Sequence, residues 1–410
     1  MSDNQSNESN PSIRSDYLVF GSPDLHEEDI EEVVATLRSG WLGTGPKVAR
    51  FEHDFAEYVG MPNAIAVSSC TAALHLALLM LGIGPGDEVI VPAMTFAATA
   101  NVVMHCGARP VFADVDRSSM CIDPLDVQRR ITPRTRAIVP VHFAGRPCDM
   151  DALLAISAAH RIFIVEDCAH AIETLWRGRH AGTMGDVGAF SFYVTKNVIT
   201  AEGGMLVTGA TSLAARAKTL ALHGLDADAW KRFSDEGFKH YEVSEPGYKY
   251  NMTDIQASLG IHQLARVEAN LETRRRIWRR YDEAFADLPV TLPAPEEPGT
   301  RHARHLYTLL IDIDRVPIGR DGVQAALHER RIGTGIHYRA LHLHQFYRHA
   351  LGHQRGDLPE AEWISDRTLS LPLSPRLTHR DVDDTIAAVR AVLAPTEPAS
   401  RRLVRQAVVQ

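Results

Sequence analysis

Residues 136–167, RAIVPVHFAGRPCDMDALLAISAAHRIFIVED, decide the fold, because two short runs rich in Ile and Val flank one helical stretch. We predict strands at Arg136–Val141 and Ile162–Val165, with a helix at Asp149–Ala159 between them. The same alternation precedes this unit, with further strands predicted at Ala64–Val67, Glu88–Val91 and Pro110–Ala113 and a helix at Thr71–Leu81. Continuous apolar strands separated by helices are typical of a mostly parallel sheet covered on both faces, so we expect an α/β fold. Function in such sheets lies at the carboxyl ends of the strands.

The composition excludes several classes of function. The 410 residues include 43 basic and 51 acidic side chains, a net charge of −8, and no Lys/Arg-rich block, which argues against nucleic acid or an anionic membrane as main partner. No apolar run approaches the roughly 20 residues of a spanning helix. The N-terminal MSDNQSNESNPS has no hydrophobic signal region. The five cysteines are scattered without CxxC spacing, as in proteins with reduced thiols. We therefore predict a cytoplasmic protein without a bound metal.

The second half of the chain predicts a smaller unit. Thr253 and Gln256 form a capping-box pattern at the start of a long helix that runs into the Arg-rich TRRRIWRRYDEAF stretch. After it we predict a strand at Leu306–Ile313, a helix after Gly319, a strand at Gly335–Tyr338, and a helix capped by Thr378 with Asp381. The predicted organisation is a disordered tail at 1–16, a large domain at 17–275, a small C-terminal α/β domain at 276–395, and a frayed tail at 396–410.

Lys196 is the first candidate for chemistry. The chain has only six lysines, and this one lies in AFSFYVTKNVIT, a largely apolar stretch. Burial lowers the pKa of a lysine towards that of a nucleophilic amine, whereas an arginine keeps its proton. A buried lysine is therefore a candidate for Schiff-base chemistry. A surface lysine at a strand end remains the alternative.

Two further candidates also follow predicted strands. Asp167 ends RIFIVED, where a buried carboxylate needs a partner such as a protonated pyridine nitrogen. Capping of a short helix at Cys168–Ala171 is the alternative for this residue. Ser68-Ser69-Cys70-Thr71 joins a strand to a helix, and free amides with nearby hydroxyls at a helix N-terminus bind phosphate. Ordinary N-capping is the alternative there.

Together these residues meet the needs of pyridoxal phosphate (PLP). The phosphate needs a cup, the ring nitrogen a carboxylate, the aldehyde an amine, and the ring a flat surface. Phe96, in VPAMTFAATAN, is a candidate for that surface, with plain core packing as its alternative.

The chain resembles the DegT/DnrJ/EryC1/StrS family of PLP-dependent sugar aminotransferases from about Gly21 to Leu393. The resemblance rests on the segments SGWLGTGPKVARFE, SSCTAAL, GIGPGDEVIVPAMTFAAT, PVFADVD, VEDCAHA, GDVGAFSFYVTKN, TAEGG and GYKYNMTDIQASLGIHQL. It implies the fold type I aminotransferase architecture, with a mostly parallel sheet sandwiched by helices in the large domain.

The resemblance also implies roles for individual residues. Lys196 would hold the cofactor aldehyde, Asp167 the pyridine nitrogen, and His170 would lie near the ring oxygen, with Phe96 stacked on the ring. The residues implied around the phosphate are Ser69, Cys70, Thr71 and Ser191, and Asn251 would reach the cofactor of the neighbouring subunit, so a homodimer is expected. Thr44, His337 and Tyr338 are candidate substrate contacts, with solvated loop residues as the alternative. Two residues depart from the family pattern, because Cys70 and Glu173 stand where glycine is usual.

The implied activity is transfer of an amino group from L-glutamate to a nucleotide-linked keto-deoxysugar. Relatives with histidine at the lysine position are dehydratases, so Lys196 favours transamination. The GYKYNMTDIQA segment resembles members that aminate C4 of a 4-keto-6-deoxyhexose. A C3 sugar aminotransferase and a non-catalytic PLP-binding regulator of sugar metabolism are the alternatives. A nicotinamide oxidoreductase is disfavoured, since no GxGxxG follows the first strand.

Overall fold

The computed structural model of the protein describes residues 13–225 and 242–393. The predicted tail at 396–410 lies outside this range, as do the first twelve residues of the predicted tail at 1–16. Within the remainder of that N-terminal segment, the Arg14 guanidinium lies 2.8 Å from Asp381 and 2.6 Å from Asp384. Two ion pairs therefore tie this part of the predicted tail to the C-terminal helix.

The secondary structure alternates as the sequence predicts. The strands are β1 (Asn63–Val67), β2 (Glu88–Pro92), β3 (Arg109–Ala113), β4 (Thr135–Ile138), β5 (Phe163–Asp167), β6 (Leu175–Trp176), β7 (Arg179–His180), β8 (Val187–Ser191), β9 (Gly204–Thr208), β10 (Val290–Thr291), β11 (Thr300–Arg301), β12 (Tyr307–Ile311) and β13 (Thr368–Leu371). The helices are α1 (Glu27–Ser39), α2 (Pro46–Val59), α3 (Cys70–Met80), α4 (Ala97–His105), α5 (Pro124–Arg130), α6 (Met150–His160), α7 (Thr211–Ala221), α8 (Asp254–Ala265), α9 (Val267–Phe285), α10 (Gly319–Glu329), α11 (Gln345–Leu351), α12 (Pro359–Ser365) and α13 (His379–Leu393).

The central sheet has seven strands in the order β1-β9-β8-β5-β4-β2-β3. Strands β3, β2, β4, β5 and β8 are parallel, whereas β9 is antiparallel to both of its neighbours, β1 and β8. Five of the seven strands, β1, β2, β5, β8 and β9, are almost wholly buried, as expected of a sheet covered on both faces. The predicted α/β class with a mostly parallel sheet is confirmed.

The strand order places three chain segments at one edge of the sheet. Because β1 and β8 are both antiparallel to β9, they run in the same direction, and β5 runs parallel to β8. The carboxyl ends of β1, β5 and β8 therefore lie together. These ends lead into Ser69, Asp167 and Lys196, respectively.

The helix predicted to start at Thr253 is two helices. Its capping box is present, with the Thr253 hydroxyl accepting from the Gln256 amide at 3.3 Å and the Gln256 side chain accepting from the Thr253 amide at 3.0 Å. The chain then leaves helical geometry at Arg266, which has φ −106° and ψ 7° and separates α8 from α9. The Arg266 side chain pairs with Asp29 of α1, so a tertiary ion pair coincides with the break.

Around α9 the C-terminal residues build a second core. Strands β10, β12 and β13 form a three-stranded antiparallel sheet, packed with α9, α10 and α13. The predicted strand at Gly335–Tyr338 is wrong, since only Gly335 pairs, with Ser370 of β13. The His337 side chain bonds to the Ser370 hydroxyl at 2.8 Å instead of continuing a ladder. Helix α9 crosses residue 275 without a break, and the division into domains at that point stays a prediction.

A third small sheet has the strand order β11-β6-β7. In it, residues 300–301 pair with Leu175 and Trp176, which follow β5 of the central sheet in the chain. Among the described residues, no helix is both long and apolar enough to cross a membrane.

Candidate active site

A cavity of about 480 Å³ opens at the carboxyl ends of β1, β5 and β8. Ten of the twelve residues singled out in the sequence line it, although they are scattered over 270 residues of chain. These ten are Ser69, Cys70, Thr71, Phe96, Asp167, His170, Ser191, Lys196, His337 and Tyr338. The two that do not line it are Thr44 and Asn251.

One end of the cavity is built to hold an anion. Ser69 caps α3, with its side-chain oxygen accepting from the Ala72 amide at 3.1 Å. The amides of Cys70 and Thr71 have no hydrogen-bond partner within residues 13–225 and 242–393, and they begin an eleven-residue helix. Unpaired amides at the positive end of a helix favour phosphate. The Ser191 hydroxyl lies at the end of β8, on the other side of β9.

A glycine, Gly204, allows the N-terminus of α3 and Ser191 to lie close to each other. Gly204 pairs with Val67 of β1 on one side and with Ser191 of β8 on the other. A Cβ atom at Gly204 would lie 2.4 Å from the carbonyl carbon of Ser69 and 2.5 Å from the amide nitrogen of Cys70. No larger residue fits without moving the backbone of the anion cup.

The departure at Cys70 leaves this cup intact. Cys70 is the first residue of α3 and has no positive φ, so the conformational freedom of the usual glycine is not needed. Burial raises the pKa of its thiol well above the ordinary value, and Asp167 acts in the same direction while Lys196 opposes it. The thiol therefore stays protonated and adds no negative charge beside a phosphate.

Asp167 presents a buried carboxylate to the cavity. One carboxylate oxygen accepts from the Thr99 hydroxyl at 2.9 Å and the other from the Ala169 amide at 3.1 Å. Burial raises the pKa of this carboxyl, and the two hydrogen bonds and the charge of Lys196 act against the rise. No helix follows at Cys168–Ala171, so the alternative of a structural helix cap is not what the residue does. A cationic group in the cavity would keep this side chain ionised.

Lys196 lies in the irregular connection between β8 and β9. Within the described residues, its amine has no hydrogen-bond or ion-pair partner, although it lines the cavity with Asp167 and Cys70. Removal from water lowers the pKa of Lys196 to about 8, while those two neighbours act to raise it. At pH 8 about half of the amine is therefore unprotonated and nucleophilic. The residue has the environment that distinguishes a reactive lysine from a surface one.

His170 and Tyr338 form a hydrogen-bonded pair in the cavity wall. The Ala144 amide donates to Nδ1 of His170 at 3.2 Å, so the neutral ring carries its proton on Nε2 and donates it to the Tyr338 oxygen at 3.1 Å. Burial lowers the pKa of His170 well below the usual range, and Lys196, His305 and His337 add to this effect. Burial raises the pKa of Tyr338, so its hydroxyl remains a donor.

Phe96 and His337 complete the wall. Phe96 is 63% exposed, which excludes core packing in this chain, and its ring centre lies 6.2 Å from that of Tyr338. Burial lowers the pKa of His337 to about 4, so this ring is neutral at physiological pH. Both side chains line the cavity.

Thr44 and Asn251 contact each other away from the cavity. The Asn251 side chain donates to the Thr44 hydroxyl at 2.7 Å, and that hydroxyl donates to the Met252 carbonyl at 2.5 Å. Since its donor and one acceptor position are used, the structure does not support Thr44 as a substrate contact within its own chain. The side-chain oxygen of Asn251 is buried and has no partner among the described residues. Its predicted reach into a neighbouring subunit stays a prediction.

The carboxylate at Glu173 does not enter the cavity. It is fully buried and pairs with Arg274 of α9, which is only 1% exposed. Burial raises the pKa of Glu173, and the Arg274 charge opposes that rise. This departure from the family pattern therefore adds no carboxylate to the cavity, because the residue lies behind the wall.

Three residues in or behind the cavity wall are not predicted from the sequence. Thr99 supports Asp167 from the first turn of α4, and His305 lines the wall just before β12. Asn197 follows Lys196 directly and contacts both His305 and Glu173. Adjacency to Lys196 is the one sequence signal that points to Asn197, and nothing in the local pattern marks the other two.

The groups in the cavity fit PLP. An anion cup, a buried carboxylate, an amine with lowered pKa and aromatic side chains converge in one space. With a mostly parallel sheet flanked by helices, this set defines a PLP-dependent enzyme of fold type I.

The comparisons with known proteins agree with this class. Residues 23–390 match the DegT/DnrJ/EryC1/StrS aminotransferase family, and the chain belongs to it. It is 48% identical over 381 residues to the spore coat polysaccharide biosynthesis protein SpsC of Bacillus subtilis, covering 93% of this chain and 98% of that protein. The matched family is an aminotransferase family, and its solved relatives include a sugar aminotransferase in PLP and PMP forms, which confirms the predicted cofactor and the coarse activity of a sugar aminotransferase.

Two solved structures illustrate the likeness. Spr1654 of Streptococcus pneumoniae in its pyridoxamine phosphate (PMP) form is 35% identical, with a TM-score of 0.86 over 92% of this chain and 98% of that one. The same protein is also known in a PLP form. DesV of S. venezuelae, in complex with a ketimine intermediate, is 36% identical, with a TM-score of 0.81 over 90% and 95% of the two chains.

Proposed function

We propose that this protein transfers an amino group from L-glutamate to C4 of a nucleotide-linked 4-keto-6-deoxyhexose, with Lys196 as its catalytic amine. The observation that carries the proposal is the position of Lys196, whose amine has no partner among the described residues and lies near Asp167 in the cavity of a sugar-aminotransferase fold. The name of the relative SpsC supports a product that is built into a polysaccharide.

Different residues of the chain transfer the proton, contact the ring nitrogen and bind the phosphate. When bound, PLP supplies an aldehyde that takes up the amino group and a ring that withdraws electrons from the reacting carbon. Lys196, which is half neutral at pH 8, takes the proton from the α-carbon of glutamate and returns a proton to the sugar carbon in the second half of the reaction. Asp167 keeps a positive charge on the ring nitrogen, and the α3 N-terminus holds the phosphate.

The C4 position rests on the segment GYKYNMTDIQA, residues 247–257. The Tyr250 carbonyl accepts from the Ser68 amide at 2.6 Å, and Asn251 pairs with Val67 at the end of β1. The segment thus adjoins the anion cup, where it is able to influence how the sugar is presented. C3 amination is the competing outcome, and the substrate assay below distinguishes the two.

We propose further that the enzyme acts as a cytoplasmic homodimer. The support for the dimer is Asn251, which does not line its own cavity and whose buried side-chain oxygen has no partner within residues 13–225 and 242–393. A second copy of the chain that brings this residue to the partner's anion cup would complete both sites.

The first experiment tests Lys196 itself. Borohydride reduction of the PLP-loaded protein, followed by digestion and mass spectrometry, is expected to leave a pyridoxyl group on the peptide that contains Lys196. Lys196→Ala is expected to lose the label and to reduce turnover by at least ~10²–10⁴-fold, the contribution of a positioned general base. Lys218→Ala, which removes a half-exposed lysine, is the matched control and keeps both. A label on another peptide would overturn the assignment.

The second experiment tests the substrate. Thymidine- and uridine-linked 4-keto and 3-keto sugars are offered with L-glutamate, and the aminated product is identified by mass spectrometry and NMR. Amination of a 4-keto sugar is expected. Turnover of 3-keto sugars alone would refute the C4 assignment, and an L-glutamate-insensitive absorbance spectrum of the bound cofactor would indicate a regulator.

A further inference from the structure

A buried ion pair lies behind the cavity wall, next to the residue that follows Lys196. Glu173 and Arg274 are 0% and 1% exposed, and their side chains are in contact. The buried charge of Arg274 has few partners besides Glu173. Its Nε and Nη1 atoms have no partner among the described residues, and Nη2 is 3.4 Å from the Ala303 carbonyl. An arginine keeps its proton, so the carboxylate form of Glu173 is the one that balances it.

Asn197 connects this ion pair to the cavity. Its side-chain nitrogen donates to Glu173 at 2.8 Å and to the Ala303 carbonyl at 3.2 Å. Both partners are acceptors, which fixes the orientation of the amide, because only its nitrogen is able to face them. The amide oxygen of Asn197 must then face the opposite side, towards His305.

His305 receives a fixed tautomer from this arrangement. Its Nδ1 lies 3.0 Å from the Asn197 amide oxygen and must be the donor, so the neutral ring is left with its acceptor lone pair on Nε2. Burial lowers the pKa of His305 well below the usual range, which keeps the ring neutral. The ring lines the cavity with its centre 4.5 Å from that of His170.

The segment that carries Lys196 is irregular, since residues 192–203 form neither helix nor strand. The Lys196 amide donates to the Tyr193 carbonyl at 2.8 Å, and the side chains of Val198 and Ile199 are buried in the core. Between these points, the side chain of Asn197 makes the hydrogen bonds to Glu173, Ala303 and His305. Loss of the Asn197 contacts would therefore remove the polar anchor next to Lys196 and allow the lysine side chain to shift.

We propose that Glu173 is a positioning residue, which acts through Asn197 to hold the Lys196 amine in the cavity and to fix the tautomer of His305, and that Arg274 serves to keep Glu173 ionised. The inference rests on the proposed role of Lys196. It also gives a role to Glu173, which stands where glycine is usual in the family and lies behind the cavity wall.

Five titratable groups that interact electrostatically with Lys196 come from different parts of the fold. They are Cys70 on α3, Asp167 on β5, His170 after β5, His305 before β12, and His337 near β13. Glu173 and Arg274 lie behind this shell. A substitution at the ion pair is therefore expected to change the pKa of Lys196 by moving the amine, not by direct electrostatic contact.

Two matched double variants separate positioning from the loss of a buried charge. Glu173→Gln/Arg274→Met and Glu173→Leu/Arg274→Met both remove the ion pair, and replacement of a buried pair by uncharged residues of similar size is often tolerated. They differ in one respect, because the introduced glutamine still offers an oxygen to Asn197 and the introduced leucine does not. Asn197→Leu, which leaves the ion pair intact, is a third variant should either double variant fail to fold.

The readout is the ionisation of Lys196 in apoprotein. Reductive methylation with ¹³C-formaldehyde labels the six lysines, and the Lys196 signal is assigned by its absence in Lys196→Ala. Its pKa is expected to stay near that of the wild type in Glu173→Gln/Arg274→Met. It is expected to rise by about one unit or more towards 10.5 in Glu173→Leu/Arg274→Met and in Asn197→Leu, as the amine gains access to water.

Single-turnover kinetics with L-glutamate supply the second readout. The rate constant of the PLP-loaded enzyme is expected to fall at least tenfold in Glu173→Leu/Arg274→Met, with little change in glutamate affinity, and to stay within about threefold of the wild type in Glu173→Gln/Arg274→Met. Equal Lys196 pKa values in the two folded double variants would overturn the proposal. So would a wild-type pKa in Asn197→Leu. The apoprotein titration needs no substrate, so its failure is distinct from failure of the borohydride test or of the sugar assay.

Discussion

Replacement of Lys196 by methionine is expected to stabilise the apoprotein at neutral pH. The pKa of this lysine falls from 10.5 to about 8 on folding, because the charged amine is withdrawn from water. At about 1.36 kcal/mol per pKa unit, protonated Lys196 costs the fold about 3 kcal/mol at pH 7. Asp167 loses an attractive neighbour in the variant, so the expected net gain in the free energy of unfolding is about 2–3 kcal/mol.

The stability gained by Lys196→Met is expected to depend on pH. Between pH 8 and 10.5 the unfolded chain holds a proton on Lys196 that the folded chain has released, so the stability of the wild type rises with pH across this window. Below pH 8 both states are protonated and the full cost is present. The gain from Lys196→Met is therefore expected to shrink to about 1 kcal/mol by pH 9.5.

Urea unfolding of both apoproteins at pH 7, 8.5 and 9.5, followed by circular dichroism, measures this difference. Lys218→Met is the control, because Lys218 is 49% exposed and lies 3.3 Å from Glu52 at the surface. Its loss is expected to change stability by less than about 1 kcal/mol with little pH dependence. A Lys196→Met variant that is less stable than the wild type at pH 7, or whose gain in stability is constant up to pH 9.5, would refute the predicted cost of burying Lys196.

Three other substitutions test separate parts of the structure. Gly204→Ala, whose Cβ would lie 2.4 Å from Ser69, is expected to weaken PLP binding at least tenfold in an absorbance titration, whereas unchanged affinity would contradict the anion cup. Asp167→Asn is expected to lower kcat by ~100-fold or more while PLP remains bound, as loss of a preorganised charge does, and a wild-type kcat would exclude its role. Thr378→Ala removes the capping box at the start of α13, and urea unfolding is expected to show a loss of about 1 kcal/mol with unchanged activity.

The residues at strand ends are predictable because one rule places them. A buried run of apolar residues identifies a strand, and a polar residue at its end must lie at the edge where parallel strands finish. Asp167 and Lys196 both follow such runs, and β5 and β8 are neighbours in the sheet. Their meeting in one cavity therefore follows from the alternation of elements along the chain.

The network behind the cavity is not predictable in this way. Glu173 and Arg274 are 101 residues apart, and no periodicity or motif links a short turn after β5 to the middle of α9. The same limit applies to Arg266, whose pairing with Asp29 accompanies a break in an otherwise regular helical pattern. The alternation at 335–338 reads as a strand, yet His337 and Tyr338 turn to Ser370 and His170. Tertiary contacts override local pattern at each of these positions.

The antiparallel strand β9 has a consequence for synthesis of the chain on the ribosome. Strand β1 has one neighbour in the sheet, and that neighbour begins at Gly204, about 140 residues later in the chain. At roughly 5–20 residues per second, β1 and the nascent α3 wait on the order of ten seconds for their partner. During this interval the apolar strand Asn63–Val67 is open to mispairing, and the cavity stays incomplete until the β8–β9 connection, which carries Lys196, has emerged.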